Sequence, residues 1–97
     1  MTELYPCKKF MGEPIEAFQE KLHEEVSELD SAMSEFLNAK DNDYILWCRI
    51  MEEAADVQTV CESIMARAGA NISQRDAWRA FVYGKNKRRG YLDAPDK

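Results

Sequence analysis

Residues 14–39 read PIEAFQEKLHEEVSELDSAMSEFLNA, and this stretch decides the fold class. Its apolar residues recur at spacings of three and four, which is the pattern of an amphipathic α-helix. These residues are Ile15, Phe18, Leu22, Val26, Leu29, Met33, Phe36 and Leu37. Pro14 suits a helix start because its fixed φ is already close to the helical value. We therefore predict a first helix from Pro14 to about Ala39.

A second helix is predicted after the turn-forming residues 40–43, in which Asp43 is a candidate N-cap. It should run from about Tyr44 to Ala68 and end at Gly69, a residue suited to the position after a helix. Its apolar stripe consists of Ile50, Ala54, Val57, Cys61, Ile64 and Ala68. Because the connecting turn is short, the two helices should form an antiparallel hairpin.

A third helix is predicted with Ser73 as its N-cap and Asp76 in its first turn. Its expected buried side consists of Ala77, Trp78, Phe81 and Val82. It should persist to about Lys87 and stop at Gly90. Residues 1–12 read as an irregular arm and residues 91–97 as a tail, and nothing in the sequence requires a β-sheet. The expected fold is one all-α domain over residues 1–97.

Composition narrows the function classes. The chain has 97 residues, and a lone domain of this size buries too little surface to be more than marginally stable. We therefore expect a homo-oligomer in which hairpins pair into a four-helix bundle.

The net charge of −5 disfavours nucleic acid as a partner. With no long apolar run and no signal peptide, a cytoplasmic location away from membranes is expected. Cys48 and Cys61 lie among apolar residues, which indicates small buried side chains.

Four carboxylates are unusual because the helical spacing places them at the edges of apolar stripes. Glu25 falls between Leu22 and Leu29 on the first helix, with Glu28 three residues further on. Glu53 and Asp56 have the same spacing on the second helix. Clustered, partly buried acids destabilise a bundle unless a cation lies among them. Oxygen donors without sulfur or imidazole suit Mg²⁺, with Mn²⁺ as a possible substitute.

Two other interpretations of these acids exist. One is that they are ordinary solvated surface acids, because glutamate is common on helices. The pair Glu20 and His23 has the spacing used in di-iron bundles, but that architecture normally needs a second such pair, and the chain has no other histidine.

Residues 85–91 read KNKRRGY and concentrate four cations in an acidic protein. One interpretation is a solvated helix end, where cations meet the negative pole of the helix dipole. The other is a phosphate-binding segment.

The three segments KLHEEVSEL (residues 21–29), MEEAADV (51–57) and NKRRGY (86–91) together resemble the MazG-like all-α nucleotide pyrophosphohydrolases. The resemblance covers most of residues 14–91. It implies Mg²⁺ ligands at Glu25, Glu28, Glu53 and Asp56, with Glu25 or Glu28 as the catalytic base. It also implies phosphate binding by members of the downstream segment, for which the candidates are Lys85, Asn86, Lys87 and Arg89. A dimer or a dimer of dimers is implied as well.

The reaction implied by the resemblance is hydrolysis of a nucleoside triphosphate between the α and β phosphates. Standard deoxynucleotides, damaged nucleotides and phosphoribosyl-ATP remain alternative substrates. The aromatic residues that could stack on a base are Phe10, Phe18, Tyr44, Trp47 and Trp78. A non-catalytic helical interaction module is the alternative from another class.

Overall fold

The computed structural model of the chain describes residues 4–40 and 44–95, and in these residues it contains three α-helices and no strand. The helices are α1 (Ile15–Asn38), α2 (Tyr44–Arg67) and α3 (Ile72–Arg88), preceded by a 3₁₀ turn at Lys8–Phe10. The predicted all-α class is therefore confirmed. The predicted N-cap at Asp43 lies outside the described residues.

Two glycines end helices in the way that the sequence predicts. Gly69 and Gly90 have φ values of +100° and +76°, in the left-handed region that favours glycine. After α2, the amide of Gly69 donates to Ala66 O and the amide of Ala70 donates to Met65 O. The same pair of bonds recurs after α3, and in both places it satisfies carbonyls at the helix end.

The start of α3 corrects the prediction that Ser73 is its N-cap. The N-cap is Asn71, whose side chain accepts a hydrogen bond from the Gln74 amide. The Gln74 side chain accepts one from the Asn71 amide in return. This reciprocal capping box satisfies two amides at once. It requires a Gln or Glu three residues after the cap, and Gln74 has that spacing from Asn71 but not from Ser73. The helix consequently begins at Ile72, and Asp76 lies beyond its first turn.

Contacts along α1 and α2 show that they form an antiparallel hairpin. Near the connecting turn, the rings of Phe36 and Trp47 lie 4.4 Å apart between centroids. At the other end of the hairpin, Phe18 of α1 and Val60 of α2 line the same cavity. The buried apolar side chains of the described residues are few, namely Phe18, Ala32 and Val60.

Residues 4–14, which we call the N-terminal strap, lie against the open end of the hairpin. The amide of Cys7 donates to Ser63 Oγ at 2.9 Å, and Arg67 Nε donates to the carbonyl of Glu13 at 2.8 Å. The strap is therefore attached to α2 near both of its ends.

Helix α3 is held to α2 by a buried ion-pair network around Glu62. Arg75 Nε lies 2.6 Å from Glu62 Oε2, and Arg79 lies 2.6 Å from Glu62 Oε1. Arg75 also donates to the carbonyl of Ala70 at 2.8 Å, and Arg79 pairs with Asp76. Both oxygens of the buried Glu62 carboxylate are thus satisfied by guanidinium groups.

The apolar side of α3 is not buried within the single chain, which corrects the prediction. All four residues of that side are exposed: Ala77, Trp78, Phe81 and Val82. The rings of Trp78 and Phe81 contact each other edge to face, with centroids 5.9 Å apart.

The prediction that both Cys48 and Cys61 are buried is also wrong, because Cys48 is half-buried and Cys61 is exposed. Helical periodicity identifies an apolar face but not what covers it.

Among the described helices, none is both long enough and apolar enough to cross a lipid bilayer.

Candidate metal centre

The four predicted acids lie on the two helices of the hairpin, Glu25 and Glu28 on α1 and Glu53 and Asp56 on α2. Each pair is separated by three residues, so its two side chains leave the helix on the same side. Because the hairpin is antiparallel, the two pairs face each other near its middle. The acids differ in burial: Glu25 is 8% exposed, Glu53 is half-buried, and Glu28 and Asp56 are exposed.

The structure brings the acids together in two overlapping groups rather than in one. One carboxylate oxygen from each of Glu25, Glu53 and Asp56 lies within 4.8 Å of the others. The same holds for Glu24, Glu25 and Glu28. Glu25 belongs to both groups and is the centre of the arrangement, which we call the acidic cluster.

Two oxygens of the acidic cluster are buried and lack a hydrogen-bond donor within the described residues. They are Oε2 of Glu25 and Oε2 of Glu53, one on each helix. A buried carboxylate oxygen without a partner destabilises a protein, and native structures rarely leave one unsatisfied. A ligand that supplies positive charge would remove this cost.

The donor set fits magnesium in chemistry and in size. Mg²⁺ prefers oxygen ligands, and two such ligands on opposite sides of the ion are about 4.2 Å apart at its usual bond length. The oxygens of Glu25, Glu53 and Asp56 lie within 4.8 Å of one another, which is close to this separation. Only a few protein oxygens converge here, which suits an ion that retains several waters.

A lysine already neutralises part of the acidic cluster. Lys21 Nζ lies 3.1 Å from Glu25 Oε1 and 3.9 Å from Glu24 Oε1. The hydrogen bond to Glu25, followed by the charge of Glu24, raises the pKa of Lys21. This ammonium group therefore stays protonated at neutral pH and satisfies Oε1 of Glu25, while Oε2 has no such partner.

The acids also affect each other's ionisation. The charge of Glu25 is the largest cause that raises the pKa of Glu28, followed by desolvation and the charge of Glu53. Like charges close together favour the protonated form of one of them. The negative charge of Glu28 is therefore disfavoured by its neighbours in the cluster.

A cavity of about 370 Å³ lies beside the acidic cluster, beneath the N-terminal strap. Lys21 lines the cavity and also pairs with Glu25, so the cavity and the cluster are neighbours. The other lining residues come from the strap, α1 and α2: Cys7, Phe10, Glu13, Ala17, Phe18, Val60 and Ser63. Two of the aromatic candidates for base stacking, Phe10 and Phe18, are among them. The volume is within the usual range for small-molecule sites.

The four candidate phosphate-binding residues lie at the C-terminal end of α3. Lys85 and Asn86 are half-buried, and Lys87 and Arg89 are exposed. In the part of the chain that the structure describes, no ion pair joins this segment to the acidic cluster. The single chain thus does not bring the basic segment into contact with the acids.

Two features of the charged residues were missed by sequence reasoning. Glu24, which is exposed, joins Glu25 and Glu28 in one group of acids and was not among the predicted ligands. The signal was its i, i+4 spacing to Glu28. The buried Glu62 was also missed, because its partners Arg75 and Arg79 lie on another helix. The pair of arginines four residues apart on α3 was the available signal.

Comparison with protein-family models, with curated proteins and with solved structures gives no match for this chain.

Proposed function

We propose that the protein is a Mg²⁺-dependent nucleoside triphosphate pyrophosphohydrolase of the MazG-like kind. The observation that carries the proposal is the pair of buried oxygens without a donor, Glu25 Oε2 and Glu53 Oε2, on facing helices. Two buried oxygens without donors lower the stability of the folded chain. They are explained if both oxygens bind a divalent cation. Asp56 supplies the third ligand oxygen of this site, and Glu28 the fourth.

In this proposal the cation, when bound, neutralises the triphosphate and makes a water more acidic. Glu25 and Glu28 are the two candidates for the base that accepts the proton of the attacking water. Of the two, Glu28 is exposed to water and Glu25 is buried. The water oxygen would form a bond to phosphorus as the bridging bond between the α and β phosphates breaks, which gives the monophosphate and pyrophosphate.

The cavity beneath the strap is the proposed place for the nucleoside end of the substrate. It adjoins the acidic cluster through Lys21, and the aromatic residues Phe10 and Phe18 line it. Because one chain does not bring the basic segment at the end of α3 into contact with the acids, in this proposal the segment of a second copy would hold the departing pyrophosphate. The charge-assisted hydrogen bonds would come from Lys85, Asn86, Lys87 and Arg89.

A nucleotide panel with Mg²⁺ tests the activity, with pyrophosphate and orthophosphate release measured separately. Asp56→Asn should abolish pyrophosphate release, because it removes a ligand charge at nearly constant shape. Its metal-free form should be as stable as the wild type or more so, because it relieves repulsion. Asp30→Asn, an exposed acid on α1, is the matched control and should behave as the wild type. Orthophosphate release, or no release by the wild type, contradicts the proposal.

The basic segment has its own test within the same assay. Lys87→Ala or Arg89→Ala should reduce turnover without weakening Mg²⁺ binding. The activation free energy should rise by the value of one charged contact, about 1.5–3 kcal/mol. Unchanged turnover in both variants would indicate that the segment is a solvated helix end.

We also propose that the active form is a homo-oligomer in which hairpins pair into a four-helix bundle. The support is the exposed apolar surface of the single chain, in which Leu37 is 79% and Trp78 is 59% exposed. Large exposed apolar patches usually mark interfaces. Sedimentation at micromolar concentration should therefore give a mass above that of one 11.2 kDa chain. A well-folded monomer under these conditions contradicts this assembly.

The same exposed surface favours a second candidate, a non-catalytic interaction module. Such a module needs no cation, so the two candidates differ in one measurement. Mg²⁺ should raise the melting temperature of a pyrophosphohydrolase and leave that of an interaction module unchanged.

A further inference from the structure

The two oxygens of the Glu25 carboxylate have different surroundings. Oε1 lies 3.1 Å from the Lys21 ammonium, whereas Oε2 is buried without a donor among the described residues. Whatever cation enters the acidic cluster therefore meets a carboxylate with one oxygen already in use. The difference between the two oxygens is set by a single side chain, Lys21.

Lys21 is well placed to keep this position. Its side chain is half exposed, and it lines the same cavity as Phe18. The methylene groups of a lysine can pack on apolar residues while its ammonium group stays partly hydrated, so this position costs Lys21 little free energy. Within residues 4–40 and 44–95, no other lysine or arginine forms an ion pair with Glu25.

The number of oxygens that a carboxylate offers matters for cation choice. Ca²⁺ takes six to eight oxygens at 2.3–2.6 Å and readily binds both oxygens of one carboxylate. Mg²⁺ requires an octahedron at 2.0–2.1 Å and uses one oxygen from each of a few carboxylates. A carboxylate that is restricted to one oxygen therefore disfavours Ca²⁺ more than Mg²⁺.

We propose that Lys21 sets the cation selectivity of the acidic cluster by occupying Oε1 of Glu25 and so restricting this residue to one ligand oxygen. The inference rests on the proposed function, because it requires the cluster to bind a divalent cation. Lys21 is a positioning residue here, since it acts through Glu25 and does not touch the cation.

Calorimetric titration of the full chain with Mg²⁺ alone and with Ca²⁺ alone tests the proposal. The measured quantity is the ratio of the Ca²⁺ affinity to the Mg²⁺ affinity. In Lys21→Met, Glu25 regains its second oxygen, and this ratio should rise about tenfold, the lower end of the effects seen when a partner of a metal ligand is lost. Lys8→Met removes the same charge from an exposed position in the strap and should keep the wild-type ratio.

The ratio separates positioning from other effects of the substitution. A lysine that acted only through its charge would repel Mg²⁺ and Ca²⁺ equally. Its removal would then increase the affinity for both ions and leave the ratio unchanged. General loss of structure would lower the affinity for both ions together. An unchanged ratio in Lys21→Met, with measurable binding of both ions, overturns the proposal while the metal site stands. A wild-type protein that binds neither ion overturns the proposed function and this inference with it.

Discussion

Glu25 and Glu62 are the two buried glutamates of the described residues, and their surroundings are opposite. Each oxygen of Glu62 accepts from an arginine, so its charge is balanced within the protein. Glu25 has one lysine on one oxygen and no donor on the other. Burial alone therefore does not identify a functional acid. What distinguishes Glu25 is that the fold buries it and leaves part of its hydrogen-bonding capacity unused.

The largest effect is expected where the charge is fully paired. Glu62→Gln should lower the free energy of unfolding by about 3–5 kcal/mol, because Arg75 would stay buried without its counter-charge. Urea denaturation measures this loss, which should be the same with and without Mg²⁺. Glu52→Gln, an exposed acid on the same helix, is the matched control. A loss no greater than that of Glu52→Gln would mean that the network does not hold α3 to α2.

A reversed pattern is expected in the acidic cluster. Glu53→Gln should leave the metal-free protein as stable as the wild type or more stable, because it removes a negative charge from a half-buried carboxylate whose Oε2 lacks a partner among the described residues. It should lose the stabilisation by Mg²⁺, which for the wild type is about 2.7 kcal/mol at one hundred times the dissociation constant. Thermal melts with EDTA and with Mg²⁺ measure both quantities, and Glu52→Gln again serves as control. A metal-free variant that melts well below the wild type would place Glu53 in a structural network like that of Glu62.

The smallest effect concerns pH. The pKa of Glu28 is raised in the folded protein, chiefly by the charge of Glu25. Its protonated form is thus favoured by folding, and the stability it contributes is present at low pH and lost as pH rises through the raised pKa. In EDTA, wild-type stability should fall across this range, and Glu28→Gln should flatten the fall. The effect should be small because Glu28 is exposed and its charge is screened.

Asp30→Asn is the control for this measurement and should keep the wild-type pH dependence. Equal pH dependence in wild type and Glu28→Gln would show that the acids of the cluster titrate independently.

Helix positions were predictable because they depend on local information. Periodicity and the glycines at positions 69 and 90 predict the ends of α2 and α3 to within a residue. The misassigned cap of α3 has a local cause too, since Asn71 and Ser73 are both good N-caps and only Gln74 distinguishes them. The candidate acids were likewise found from their positions on two apolar stripes.

Features that depend on another helix or another chain were not predictable from the sequence. The apolar pattern of α3 is real, but it cannot tell whether Trp78 and Phe81 are covered within one chain. The role of Glu62 depends on two arginines whose position is set by the path of the chain after Gly69. The pairing of Lys21 with Glu25 is an i, i+4 contact, yet its meaning depends on Glu53 and Asp56 across the hairpin.

The attachment of the N-terminal strap has a consequence for the wall of the cavity. The bonds at Cys7 and Glu13 use backbone groups that belong to none of the α-helices, and Ser63 also donates to Thr59 O at 2.9 Å. Release of the strap would therefore leave the helical hydrogen bonds of α1 and α2 intact, and Ser63 would keep a partner. Regions attached in this way open far more often than the whole protein unfolds. Local release of the strap would therefore remove the part of the cavity wall formed by Cys7, Phe10 and Glu13 while the hairpin stays folded.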